Sequence, residues 1–218
     1  MPGAFDEEPP TTVLTARFAE ALGWAADLHA TQRRKGTAIP YVAHLLAVAG
    51  LVLEDGGSED DAVAAMLHDA CEDHGGEVPG LEAEIERRFG GEVAAVVREC
   101  SDSLDGSSSR DAADWRARKE SYLARLERSA TIPALRVASA DKLHNARSLL
   151  ADLRDHGPSL WERFHAGPSD QRWYYTRAAA VLERRHPGPV TRELGRVVAE
   201  LVAEIDGSPP NPGGTRAS

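Results

Sequence analysis

Apolar positions recur three and four residues apart along most of the chain, the spacing of one face of an α-helix. Thr12 or Thr15 can cap a first helix running to about Thr31, with Phe18, Leu22, Ala25 and Leu28 on its inner stripe. A basic loop, 32–40, separates it from a second helix over 41–53 that Gly56-Gly57 ends. Ser58, followed by Glu59, Asp60 and Asp61, opens a third helix, which the pattern carries unbroken through Asp73 to a stop before Gly75-Gly76. Two short helices over 81–89 and 93–100 follow, parted by Gly90-Gly91. The polar run 102–109 reads as a loop that can move. Beyond it come a long charged helix over 111–128, a helix opened by Pro133 that reaches about Asp155, a short 161–164 segment, and helices over 169–185 and 190–205. No alternating stretch predicts a strand and no internal repeat is present. The expected class is all-α, with one compact domain over 12–205 between disordered ends at 1–11 and 206–218.

Composition narrows the function classes. Apolar content of 42% and charged content of 28% over 218 residues suit a globular domain with a substantial core. No apolar run reaches the roughly 20 residues of a membrane helix, and the acidic, proline-rich start lacks the regions of a signal peptide, so the expected location is cytoplasmic. Two cysteines, Cys71 and Cys100, without CxxC spacing fit a reducing compartment, and Cys71 reads as core packing. A net charge of −10 argues against a nucleic-acid partner but leaves room for a small phosphorylated ligand at a local basic cluster, Gln32-Arg33-Arg34-Lys35-Gly36. Nothing in the sequence speaks to oligomeric state.

Two polar intrusions break the apolar faces. In the third helix, His68-Asp69 is followed one turn later by Glu72-Asp73, so an imidazole and three carboxylates leave one side of a largely apolar helix. Carboxylates that close repel unless a cation sits among them, which favours a metal site over an acidic solvated helix end. In the Pro133 helix, Asp141 and Asn145 are four apart with Ser148 near the same face, among Leu135, Val137, Ala138, Leu143, Ala146, Leu149 and Leu150. A carboxylate there needs a metal or a partner such as Lys142 or Arg147. His44 and His144 are both candidates for a further imidazole, and spacing does not choose between them.

These residues resemble the HD superfamily of metal-dependent phosphohydrolases, whose pattern is a histidine, an adjacent His-Asp pair and a distant Asp. Within it the sequence is most similar to the hydrolase domain of the RelA/SpoT homologues, especially the stand-alone small alarmone hydrolases, over roughly 29–153. The segments that carry the likeness are Arg34-Lys35-Gly36 with Pro40-Tyr41-Val42-Ala43-His44, then Leu67-His68-Asp69-Ala70-Cys71-Glu72-Asp73. Phe89-Gly90-Gly91-Glu92-Val93 and Ala140-Asp141-Lys142-Leu143-His144-Asn145-Ala146-Arg147 complete it. Downstream the match is loose, and 102–110 and 161–173 have no clear counterpart.

The resemblance implies an all-helical fold, one manganese ion, and removal of the 3′-pyrophosphate from (p)ppGpp to give GDP or GTP. It implies His44, His68, Asp69 and Asp141 as metal ligands, Glu72 and Asp73 as the water-activating pair, and Arg34 and Lys35 beside the base and nearby phosphate. Asn145 and Ser148 would hold the sugar and 5′ side, with Lys119 and Tyr174 near phosphates. Two other readings compete: a phosphohydrolase acting on (p)ppApp, NADPH or a deoxynucleotide, and a nucleotide sensor without turnover. An intact Glu72-Asp73 argues against the sensor, since a pure binder has no use for a water-activating pair.

Overall fold

The computed structural model describes residues 12–101, 112–164 and 166–207. The ends expected to be disordered and the 102–109 loop lie largely outside these residues, the exception being Asp206 and Gly207, which continue the last helix. The described chain is helical throughout: α1 (Ala16–Leu28), α2 (Val42–Glu54), α3 (Glu59–Leu67), α4 (Ala70–His74), α5 (Leu81–Phe89), α6 (Gly91–Cys100), α7 (Ala112–Arg128), α8 (Ile132–His156), a 3₁₀ turn (Gly157–Arg163), α9 (Pro168–Arg185) and α10 (Pro189–Gly207). Among the described residues the only β pairing is an isolated bridge between Arg33 and Pro40 that closes the basic loop. No described helix is long and apolar enough to cross a membrane.

Local chemistry sets the helix ends. Thr15, rather than Thr12, caps α1 by accepting from the Arg17 amide, while Thr12 reaches across to the Gly57 carbonyl. Ser58 and Asp61 form a reciprocal capping box on α3, so the acidic first turn satisfies amides that the helix itself leaves open. Thr131 caps α8 and Pro133 fits its first turn, where no amide donor is required. Gly56, at φ +77°, and Gly90, at φ +92°, take left-handed conformations that a side chain would strain, which ends α2 and separates α5 from α6.

The 25-residue α8 is the central strut and packs against α2, α3, α6, α9, α10 and the 3₁₀ turn. Its buried face is the expected one, including Leu135, Val137, Ala138, Leu143, Ala146, Leu149 and Leu150. On α1, Ala25 is buried, and Phe18, Leu22 and Leu28 pack partly covered against the core. Cys71 is buried, as its core reading requires.

One element departs from expectation. The third helix is not continuous to Asp73: it stops at Leu67, turns at His68 and Asp69, and resumes as the single-turn α4. The His68 imidazole bonds the Ala65 carbonyl, the acceptor that the Asp69 amide would use in an unbroken α-helix. Side chain and backbone compete for that oxygen, and the helix bends at the competing residue. Glu72 and Asp73 therefore lie at the start of a new turn rather than at the end of an old one.

Candidate active site

His44 stands on α2, His68 and Asp69 at the α3–α4 corner, and Asp141 in the middle of α8; the site is where these three elements meet. The side chains of His44, His68 and Asp141 are 0%, 2% and 8% exposed, and Asp69 is 20% exposed. His44 Nε2 lies 3.3 Å from Asp141 Oδ1 and 3.5 Å from Asp69 Oδ2. His68 Nε2 lies 3.0 Å from Asp69 Oδ2 and 3.7 Å from Asp141 Oδ1.

The outer nitrogens of both imidazoles are already committed. His68 Nδ1 donates to the Ala65 carbonyl at 2.8 Å, and His44 Nδ1 lies 2.8 Å from Nδ1 of His144. Burial, then His44, lowers the His144 pKa to about 4, so a neutral His144 meets His44 Nδ1 while His44 Nε2 faces the carboxylates. His144 thus orients a site histidine from outside the cluster.

Neither inward Nε2 has a hydrogen-bond partner, though both are buried. Bare imidazole lone pairs facing two carboxylates repel unless a proton or a cation joins them. A proton does so in the metal-free chain: burial pulls the His68 pKa down, but Asp69 and Asp141 outweigh it and hold it well above its ordinary value. Burial likewise pushes Asp141 up, and Lys142 with the imidazoles brings it well below the carboxylate range. The ligand atoms of His44, His68 and Asp141 lie within 4.8 Å of one another, with Asp69 alongside, a nitrogen–oxygen donor set that suits a divalent metal.

The carboxylates are held from behind. Tyr41 Oη donates to Asp69 Oδ2 at 2.6 Å. Asp141 Oδ2 accepts from Lys142 Nζ at 2.5 Å, and Oδ1 accepts from Asn145 Nδ2 at 2.5 Å. Lys142 is thus the protein cation anticipated as the alternative to a metal. It pairs with the oxygen that the short imidazole distances do not involve.

Beside the cluster is a cavity of about 470 Å³ lined by Tyr41 and His44, by Asn145, Ser148 and Asp152 of α8, and by Arg34 and Lys35 of the basic loop. Arg34 Nη2 donates to Asn145 Oδ1 at 2.7 Å and its guanidinium lies 5.9 Å from the Tyr41 ring centre. Lys35 Nζ lies 5.1 Å from the ring centre of Phe164, which also lines the cavity. The lining thus combines a guanidinium and an ammonium with aromatic rings and polar side chains.

An HD domain model matches residues 21–170, more than half of the chain, and covers the whole constellation. The chain belongs to the HD domain family. Among similar proteins is the guanosine-3′,5′-bis(diphosphate) 3′-pyrophosphohydrolase MESH1 of Drosophila melanogaster, 33% identical over 155 residues, which are 69% of this chain and 76% of that protein. A probable guanosine-3′,5′-bis(diphosphate) 3′-pyrophosphohydrolase of Synechocystis is 34% identical over 139 residues; the aligned region is 64% of this chain but only 17% of that much longer protein. A solved structure of a metazoan ortholog of SpoT, described as hydrolyzing ppGpp with a role in starvation responses, superposes with a TM-score of 0.68 at 26% identity. That match covers 87% of this HD-domain chain and 97% of the other.

The fold brings together His44, His68, Asp69 and Asp141, and places Arg34, Lys35, Asn145 and Ser148 around the adjoining cavity. Asp73, on α4, accepts from Gln32 Nε2 at 2.8 Å, and Glu72 is half-buried on the same turn. Asp73 is exposed on α4, and partial desolvation, then the Asp69 charge, pushes its carboxyl above its ordinary value. Tyr174 and Lys119, like Glu72 and Asp73, are not among the residues that line this cavity. Tyr174 is buried against Trp115, Trp173 and Tyr175, with the Lys119 ammonium 5.2 Å from its ring centre. The helix turn of α9 instead presents Gln171 and Tyr175 to the cavity, four residues apart on one face. Tyr41 and Phe164 line the cavity without having been singled out from the sequence, and Gln32 stood in the basic cluster without a role of its own. Tyr41 lay inside a quoted motif, and its position three before His44 was the signal that it shares that helix face.

Proposed function

We propose that this HD-domain chain is a metal-dependent (p)ppGpp 3′-pyrophosphohydrolase, with manganese as its ion and His44, His68, Asp69 and Asp141 as the ligands. One observation carries the reading: two buried imidazoles whose inward nitrogens lie 3.0–3.7 Å from the carboxylates of Asp69 and Asp141 adjoin a cavity lined in part by Arg34 and Lys35. The named activities of the similar proteins point the same way.

When bound, a divalent ion supplies Lewis acidity that makes water more acidic and polarises a phosphoryl oxygen. The remaining work falls to side chains. Glu72 and Asp73 orient the attacking water and take its proton as its oxygen bonds to the 3′-phosphorus. The bond from that phosphorus to the ribose 3′-oxygen breaks, pyrophosphate leaves, and the 3′-oxygen recovers a proton to become a hydroxyl. Arg34 stacks on the purine, Lys35 meets phosphate charge, and Asn145 and Ser148 hold the sugar.

The test is incubation with manganese and a nucleotide panel containing ppGpp, ppApp, NADPH and deoxynucleoside triphosphates. Pyrophosphate with GDP from ppGpp is the expected result. Orthophosphate alone, or turnover confined to another nucleotide, would reassign the substrate. Tight binding without turnover of any member would identify a sensor.

A further inference from the structure

Beside the site lies a polar pair, buried His29 and half-exposed Gln32, that holds neither metal nor nucleotide in the reading above. His29, 3% exposed, follows α1, and Gln32 begins the basic loop three residues later. His29 Nδ1 lies 2.5 Å from Gln32 Oε1, and an amide oxygen only accepts, so the ring nitrogen donates. That bond decides which way the amide faces: with its oxygen engaged by His29, its NH₂ points outward and donates to Asp73 Oδ2 at 2.8 Å. The Gln32 backbone is pinned as well. Its amide donates to the His29 carbonyl at 3.0 Å, and its own carbonyl accepts from the Tyr41 amide at 3.0 Å.

The His29 ring is locked from both sides. It stacks on Tyr41 at 5.0 Å between ring centres and meets His74 edge-on at 4.6 Å. His74 Nε2 lies 3.2 Å from the same Nδ1. Tyr41, the far member of the stack, is the donor to Asp69. One layer of rings therefore backs both a candidate metal ligand and the candidate base.

We infer that His29 and Gln32 are positioning residues, a clamp that holds the Asp73 carboxylate by Oδ2 and leaves Oδ1 to face the attacking water. The inference rests on the proposed role of Asp73 as proton acceptor. A carboxylate on a one-turn helix has several rotamers within reach, and a second hydrogen bond from a fixed donor selects one of them. The chain supplies that donor from a different segment, whose own orientation is set by a buried imidazole.

Gln32→Met tests the clamp, since methionine keeps the length of the side chain, removes the donor, and sits on a half-exposed turn that tolerates it. With whichever nucleotide the wild type turns over, kcat should fall about tenfold, the scale of one hydrogen bond to a charged group, with KM, bound metal and melting temperature unchanged. In an Asp73→Asn background the same substitution should cost nothing further, because the clamp acts only through that carboxylate. Additive losses in the double variant, or a loss confined to KM, would overturn the clamp. A crystal structure of Gln32→Met gives a readout independent of turnover: Asp73 should leave its wild-type rotamer, and an unmoved Asp73 would overturn the inference even in a protein that hydrolyses nothing on the panel. Absence of turnover in wild type, with Asp73 displaced in the variant, would instead remove the hydrolase reading and leave the clamp standing.

Discussion

Chelation should lower the melting temperature of this protein, by an amount that follows free metal concentration. The cluster ties α2, the α3–α4 corner and α8 together, and that arrangement exists only in the folded chain. A ligand that binds only the native state stabilises it by RT ln(1 + [L]/Kd), about 2.7 kcal/mol at a hundredfold excess over Kd. For a domain of this size each kcal/mol moves the midpoint by about 2–4 °C, so saturating manganese against chelator should separate the two melting curves by roughly 5–10 °C. Each further tenfold rise in free manganese adds about 1.4 kcal/mol, a step of roughly 3–5 °C. Scanning calorimetry across a buffered manganese series measures both quantities. Asp141→Asn should flatten the series, since it removes the charge of the proposed ligand oxygen 3.3 Å from His44 Nε2. A wild-type midpoint indifferent to manganese would refute the reasoning: Lys142, Asn145 and the His68 proton would then be the whole answer to the clustered carboxylates.

Glu72→Gln with Asp73→Asn should cut pyrophosphate release by about 10²–10⁴-fold while calorimetry still registers metal and nucleotide; near-native release would make these carboxylates bystanders. Tyr41→Phe deletes the 2.6 Å bond to Asp69 and should weaken manganese about 10–100-fold without unfolding the chain, read by competition with a metal indicator. Arg136→Ala lies far from this chemistry. It strands the buried carboxylate of Asp61, bonded at 2.5 Å, and removes the guanidinium 3.5 Å from Asp55, so about 3 kcal/mol and roughly 10 °C of thermal stability should go. An unchanged midpoint there would mean that His186, 2.6 Å from Asp55, and the capping box on Asp61 suffice.

Much of this protein is legible residue by residue. Helix class and most boundaries follow from nearest-neighbour chemistry, because a cap such as Ser58 or Thr131 and a left-handed Gly56 or Gly90 act within one turn. The candidate ligands stand out for a similar reason: charged groups at core positions of Asp141 and His68 conflict with the apolar stripe around them. What adjacency could not supply was contact between segments distant in sequence. The choice between His44 and His144 rests on which nitrogen reaches Asp69 and Asp141, a matter of how α2 lies on α8. The break at His68 coincides with a side-chain bond to the Ala65 carbonyl, and the unbroken apolar pattern through that point carries no trace of it. Tyr174 and Tyr175 are neighbours of equal hydropathy, and only the docking of α9 decides which faces the cavity. The sequence by itself determined the helices and the inventory of reactive groups, since both depend on interactions within a turn. The tertiary structure alone decided which of those groups meet, because a hydrogen bond between Gln32 and Asp73, 41 residues apart, exists only once the helices have packed.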